Sequence, residues 1–250
     1  MVAVVQRGDW RDEVAVEEPL EIRCAGRTLS VTMRTPGHDD ELAAGFLFSE
    51  ALVDRAPDVG LTGELEANTV EVRSPLIREP DPRAFTTTSA CGVCGAGAIA
   101  DVRESAAPAP PGPEVPAALL ADLPERMRQP TFARTGGLHA AALFDAEGGL
   151  LVVREDVGRH NAVDKVVGRR LLDGALPLHG LLLCVSGRLS FELVHKAVRA
   201  GAPVLVGVGA PSSLAVELAD ELGLTLAGFA RRGRVNVYAH AERVGSGGAR

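Results

Sequence analysis

Between residues 181 and 229 the chain alternates short, solidly apolar runs with amphipathic stretches, and few architectures accept that order. Residues 181–185, 204–208 and 225–229 read as strands, whereas 191–200 and 213–222 carry apolar side chains at helical intervals. Strands apolar on both faces must be covered on both faces, and a helix between consecutive strands makes the neighbours parallel. The same alternation begins upstream, with a helix predicted over 115–127 and strands over 139–144 and 150–154. Next comes E-D-V-G-R-H-N-A-V-D-K-V-V-G-R-R-L-L, in which Ala162, Val163, Val166, Val167 and Leu171 keep helical spacing and Asn161 reads as the cap. The second half is therefore expected to be an α/β layer structure built on one mixed sheet.

The first half differs. Residues 1–13 show no strong period, 14–24 and 28–34 read as a hairpin about the turn at 25–27, and Leu29, Val31 and Met33 are expected on one face. A helix follows from His38, its first turn acidic at Asp39, Asp40 and Glu41. His38 beside a helix start is read as a local hydrogen-bonding residue. A strand is predicted over 68–74. The run A-A-P-A-P-P-G-P at 106–113 lacks the backbone donors for a helix or an interior strand and reads as a linker. The expected division is thus 1–112, a smaller β-rich α+β domain, and 113–250, an α/β domain.

With 26 basic and 33 acidic residues the formal charge is −7, which argues against nucleic acid or membrane surfaces as partners held by a general positive field. No apolar run reaches about 18 residues and no signal-peptide pattern opens the chain. The cytoplasm, where thiols stay reduced, is the expected compartment.

Two places carry chemistry. The first is T-T-T-S-A-C-G-V-C-G-A-G-A-I at 86–99, which sets Cys91 and Cys94 three residues apart among small residues in an expected mobile loop over about 85–100. A C-x-x-C of this kind fits half a zinc site, a thiol-disulfide pair or a persulfide carrier. An inert loop also stays open. Zinc lacks a second paired motif, and a thioredoxin-like pair would open a helix where this chain reads G-A-G-A. The second place is Phe229-Ala230-Arg231-Arg232-Gly233-Arg234, where three arginines in four residues either form a solvated turn or hold an anion. Asp156, His160 and Lys165 are expected to cap and pair locally, and Cys24 and Cys184 to be packed and inert.

Taken together, R-T-P-G-H-D-D-E-L-A-A-G-F-L, T-S-A-C-G-V-C-G, E-D-V-G-R-H-N-A-V-D-K, S-G-R-L-S-F-E and G-F-A-R-R-G-R-V-N-V-Y resemble the FdhD-type accessory sulfurtransferases that mature formate dehydrogenases. The resemblance implies a sulfur carrier that accepts persulfide sulfur from a cysteine desulfurase. It would pass that sulfur to a molybdenum or tungsten bis(molybdopterin guanine dinucleotide) cofactor, which a guanine nucleotide can mimic. It also implies Cys91 as the persulfide-bearing residue, with Cys94 as the second catalytic cysteine of the motif, there either to assist transfer or to protect the first. Phe229, Ala230, Arg231, Arg232, Gly233 and Arg234 become the cofactor-binding segment, no residue binds a metal ion, and the protein is a homodimer in the cytoplasm. A non-catalytic cofactor-delivery chaperone is the alternative. The second domain further resembles the cytidine deaminase fold. Its helix starts, however, read D-V-G-R-H and S-G-R-L-S where a deaminase needs H-x-E and P-C-x-x-C.

Overall fold

The computed structural model describes residues 1–61, 68–79 and 107–245. In chain order, β1 (Val2–Arg7) and β2 (Trp10–Ala15) form an antiparallel ribbon, followed by the hairpin β3 (Glu18–Cys24) and β4 (Arg27–Arg34). Helix α1 (Asp39–Ser49), β5 (Val59–Leu61) and β6 (Thr69–Val72) follow. After β7 (Val115–Pro116) come α2 (Ala117–Arg126), α3 (Pro130–Thr135), β8 (His139–Phe144), β9 (Leu150–Asp156) and α4 (Arg159–Leu172). The rest is β10 (Leu182–Val185), α5 (Phe191–Arg199), β11 (Val204–Gly207), α6 (Ser213–Glu221), β12 (Thr225–Arg231), β13 (Arg234–Ala239) and β14 (Val244–Gly245). Among the described residues no helix is long and apolar enough to cross a membrane.

The fold is mixed α/β with several sheets, and its described residues group into two compact units. One holds residues 1–61, 68–79, 129–139 and 155–174, and the other 107–128, 140–154 and 175–245. The grouping differs from a single division near residue 112, because α3 and α4 belong with the first unit. The proline-rich run is no free linker either. Residues 107–114 form neither helix nor strand and belong to the second unit, where the Ala109 N–H donates to the Leu222 carbonyl at 2.6 Å and Gly112 lies against Pro203.

The first unit has a four-stranded sheet in the order β4-β3-β6-β5. Its hairpin departs from the expected facing. Ile22 pairs with Ser30 but Arg23 with Thr28, so Leu29 is an extra residue in a bulge and the alternation inverts there. Leu29 is consequently buried while Val31 is 44% exposed. Helices α1 and α4 cross on glycine: a Cβ on Gly45 would stand 1.9 Å from the Asp164 carbonyl oxygen, and one on Gly168 1.8 Å from that of Glu41. The two backbones are in direct contact, and only residues without side chains permit it.

The second unit holds the six-stranded sheet β9-β8-β10-β11-β12-β13. Strands β10, β11 and β12 are parallel, β8 runs antiparallel to β10, and β13 antiparallel to β12. Because side chains alternate along a strand, Leu182, Cys184, Val204 and Val206 face α2, packing with Leu120, Leu123 and Phe144. Leu183, Val185 and Leu205 turn to the other face, where α5 lies on β11 and α6 on β12. The three layers expected from the apolar alternation are present, and the carboxyl ends of β10, β11 and β12 open at one edge.

Candidate functional site

At that edge the turns after the parallel strands are tied together by their backbones. The Gly209 N–H donates to Gly187 O at 3.0 Å, Leu189 N–H to Ala210 O at 3.0 Å, and Ser212 N–H to Leu189 O at 3.0 Å. Glycine is needed at 207, where a Cβ would meet Leu189 side-chain carbon at 2.7 Å. The Ser212 hydroxyl caps α6 by accepting from the Ala215 N–H at 3.2 Å.

Against these turns stands the hairpin of β12 and β13. Arg231 pairs with Arg234 around Arg232-Gly233, whose φ angles of 50° and 70° are those of a two-residue primed turn that matches strand twist. The preceding pair is Gly228 with Asn236, so Phe229 and Ala230 together oppose Val235 and form a bulge. Phe229 sits at φ 54°, a left-handed conformation that costs an aromatic residue on the order of 1 kcal/mol. Its N–H donates to Gly209 O at 3.1 Å, which fixes the bulge to the neighbouring turn. Ala230 and Val235 are buried beneath, and the Phe229 ring is left 37% exposed.

The outcome is a cavity of about 750 Å³ lined by Phe229, Arg231, Arg232, Arg234 and Asn236, inside the roughly 300–1,000 Å³ range of small-molecule sites. Among the described residues none of the three guanidinium groups meets a carboxylate or another hydrogen-bond acceptor. Three exposed cations side by side repel one another, and a polyanion relieves that repulsion while accepting paired N–H bonds. The structure thus brings Phe229, Arg231, Arg232 and Arg234 of the expected segment to one cavity, with Ala230 below it and Gly233 making the turn. Asn236 was not legible as a site residue, because the arginine run reads as the end of a strand and β13 was not expected at all.

Residues 15–245 match the FdhD/NarQ family. The chain belongs to that family. It is 54% identical to the sulfur carrier protein FdhD of Streptomyces coelicolor, over 93% of this chain and 89% of the relative. It is 52% identical to the protein of the same name from Nocardia farcinica, over 98% and 94%. In three dimensions it is similar to a crystal structure of a candidate formate dehydrogenase accessory protein from Desulfotalea psychrophila. The TM-score is 0.76 and the identity 28%, with 98% of each chain covered.

In this FdhD/NarQ chain, Cys91 and Cys94 lie outside the described residues. The two described cysteines are poor nucleophiles. Burial pushes the Cys184 thiol far above its ordinary range, and burial, then the charge of Glu71, raises that of Cys24, whose Sγ donates to Ser74 O at 3.8 Å. Among the described residues no group of three or more His, Cys, Asp or Glu could hold a metal ion.

The E-D-V-G-R-H-N-A-V-D-K stretch does structural work. Asp156 is wholly buried, and its carboxylate accepts four bonds. Lys165 Nζ and the Thr35 N–H reach Oδ2 at 2.7 and 3.1 Å, and the Gly158 N–H and Asn161 Nδ2 reach Oδ1 at 2.8 and 3.0 Å. Lys165 also donates to Thr35 O at 2.8 Å. Asn161 is therefore not the helix cap. It sits inside α4 and turns inward, donating also to Met33 O at 2.8 Å, and Gly158 occupies the cap position. The acid and base pair locally, as the sequence suggested, and fasten α4 to the Thr35 corner.

Proposed function

We propose that the protein is a sulfur carrier and sulfurtransferase for formate dehydrogenase maturation, taking sulfane sulfur from a cysteine desulfurase onto Cys91. The Cys91 thiolate attacks the outer sulfur of the desulfurase persulfide, the S–S bond breaks, and the desulfurase cysteine leaves as thiolate. Cys94 then attacks the inner sulfur of the Cys91 persulfide, forming a Cys91–Cys94 disulfide and releasing sulfide to the molybdenum or tungsten of the bis(molybdopterin guanine dinucleotide) substrate. That exchange needs no external oxidant, and a thiol reductant restores the pair.

The observation that carries the cofactor half of this reading is the cavity lined by an exposed aromatic ring and three guanidinium groups that meet no carboxylate among the described residues. Its size and charge suit a nucleoside diphosphate, with phosphates on Arg231, Arg232 and Arg234 and the base against Phe229. The sulfur half is supported by relatives at about half identity that bear the name sulfur carrier protein, since sulfur carriers use an accessible thiolate. We further place the protein in the cytoplasm as a homodimer, and read the second unit, a mixed sheet between helical layers, as akin to the cytidine deaminase fold without its zinc chemistry.

Complementation tests the reading. In cells lacking the endogenous protein, Cys91→Ala is expected to abolish formate dehydrogenase activity without altering the level of the dehydrogenase polypeptide. A variant without both Cys91 and Cys94 that still restores activity would instead assign the protein to cofactor delivery alone.

A further inference from the structure

A polar cluster away from the arginine cavity marks the place where the chain returns past the end of α6. That helix has no basic residue in its last turn, so its terminal carbonyls draw donors from elsewhere in the chain. Two segments supply them. The Ala109 N–H donates to Leu222 O at 2.6 Å, and the His240 ring sets Nε2 2.9 Å from Asp220 O. The other ring nitrogen, Nδ1, lies 2.8 Å from Glu242 Oε1.

These partners fix the state of the imidazole. A backbone carbonyl only accepts, and so does an ionised carboxylate. The Glu242 carboxyl is held below the usual carboxylate range, first by its own backbone N–H and then by His240, so it is an anion at neutral pH. A neutral imidazole has one N–H and would leave an acceptor facing an acceptor at its other nitrogen. Only the imidazolium donates to both. The Asp220 carboxylate, 3.9 Å from Nε2, adds to the attraction, and Arg243 opposes it.

The ring holds a turn that in turn holds two other segments. His240 stands at φ 52°, a left-handed conformation. Its carbonyl accepts from the hydroxyl of the buried Thr225 at 2.9 Å, and Arg243 Nη1 donates to that same hydroxyl oxygen at 3.1 Å. Arg243 also covers Gly112, where a Cβ would stand 3.2 Å from its Cδ. Val244 and Gly245 then pair with Val115 and Pro116. The turn after β13 thus fastens residues 109–116, through which the C-x-x-C stretch is joined to the second unit in sequence.

We infer that His240 is a proton-operated latch: charged, it ties the turn after β13 to the end of α6 and keeps β14 on β7; neutral, it lets both segments open. The hydrogen bond to Asp220 O, and after it Glu242, raise its pKa above the ordinary histidine value against burial and Arg243. The stabilisation is therefore fully present below about pH 6.5 and is lost as pH rises through the folded-state value, at up to about tenfold per pH unit between the two.

Two measurements on the full chain test the latch. NMR of the histidine ring nitrogens gives the charge state, with the His240 signals assigned by their loss in His240→Asn or His240→Gln. His240 is expected to titrate above about pH 6.5, with both nitrogens protonated below its midpoint. Hydrogen exchange read by mass spectrometry gives the opening, and His240→Asn is the reference because asparagine tolerates the left-handed backbone and does not titrate. At about pH 6 the amides of 109–115 and 240–245 should exchange about tenfold more slowly in the wild type than in His240→Asn, the worth of one charge-assisted bond. At about pH 9 the two rates should converge. A midpoint at or below about pH 6.5 overturns the inference, as does a rate ratio between the two proteins that stays constant with pH.

Discussion

Replacing Lys165 by methionine isolates the energetic core of the first unit. Lys165 and Asp156 are 1% and 0% exposed, their charges meet at 2.7 Å, and Lys165 also satisfies the Thr35 carbonyl. Removing one member of such a pair strands the other charge in a low-dielectric interior, a loss of about 3–5 kcal/mol. Three N–H donors would still hold Asp156, from Thr35, Gly158 and Asn161. They place Lys165→Met near the lower end, about 3 kcal/mol, including the orphaned carbonyl. Asp156→Asn should cost a similar amount, since all four partners are donors and an amide nitrogen must confront two of them. Because both substitutions break the same interaction, the double variant should lose at least about 1 kcal/mol less than the two single losses combined. Urea unfolding followed by far-ultraviolet circular dichroism gives all three values. A Lys165→Met loss below about 1 kcal/mol, the ceiling for solvated pairs, would refute the picture of a dry, obligatory ion pair.

Further outcomes follow from the packing of single residues. Gly168→Ala must separate α1 from α4 by more than 1 Å at their crossing to relieve the 1.8 Å approach to Glu41 O, and should cost about 3 kcal/mol or more, read as a fall in melting temperature. His195 has its pKa pulled down to about 4, chiefly by burial and then by Lys196 and Arg199. The unfolded chain takes up this proton near pH 6.5, so stability is lost as pH falls from about 6.5 to about 4, at up to roughly 1.4 kcal/mol per pH unit. His195→Gln should flatten that slope in denaturant titrations at successive pH values. Arg231→Ala, Arg232→Ala and Arg234→Ala should each weaken GDP binding about tenfold or more, the worth of one charge-assisted bond. The effect should shrink at high salt in calorimetry.

The second unit was largely legible because burial on both faces leaves nowhere for polar residues. Leu182–Val185 and Val204–Gly207 are apolar throughout, and they fall within a residue of where the sequence placed them. Legibility fails where a strand is not half buried. Val2–Arg7 and Trp10–Ala15 form a ribbon with many exposed residues, so no period of two marks them. The Leu29 bulge breaks the alternation that a regular strand would show. The partnership of Asp156 with Thr35, 121 positions away, depends on the tertiary fold and leaves no local signal. The cation cluster of the site could be read directly, since the three arginines that make it fall within four positions. The acceptor at Asn236 could not, because it joins the cavity only through the β12–β13 register.

The central claim is that Cys91 carries sulfur, and peptide mass spectrometry after loading of the full-length protein tests it most directly. After incubation with a cysteine desulfurase and cysteine, followed by alkylation and trypsin, the peptide from Ala84 to Arg103 should gain one sulfur atom, localised by fragmentation to Cys91. Cys91→Ala should show no gain. Sulfur found on the alanine variant, or on Cys24 or Cys184 in place of Cys91, would contradict the account.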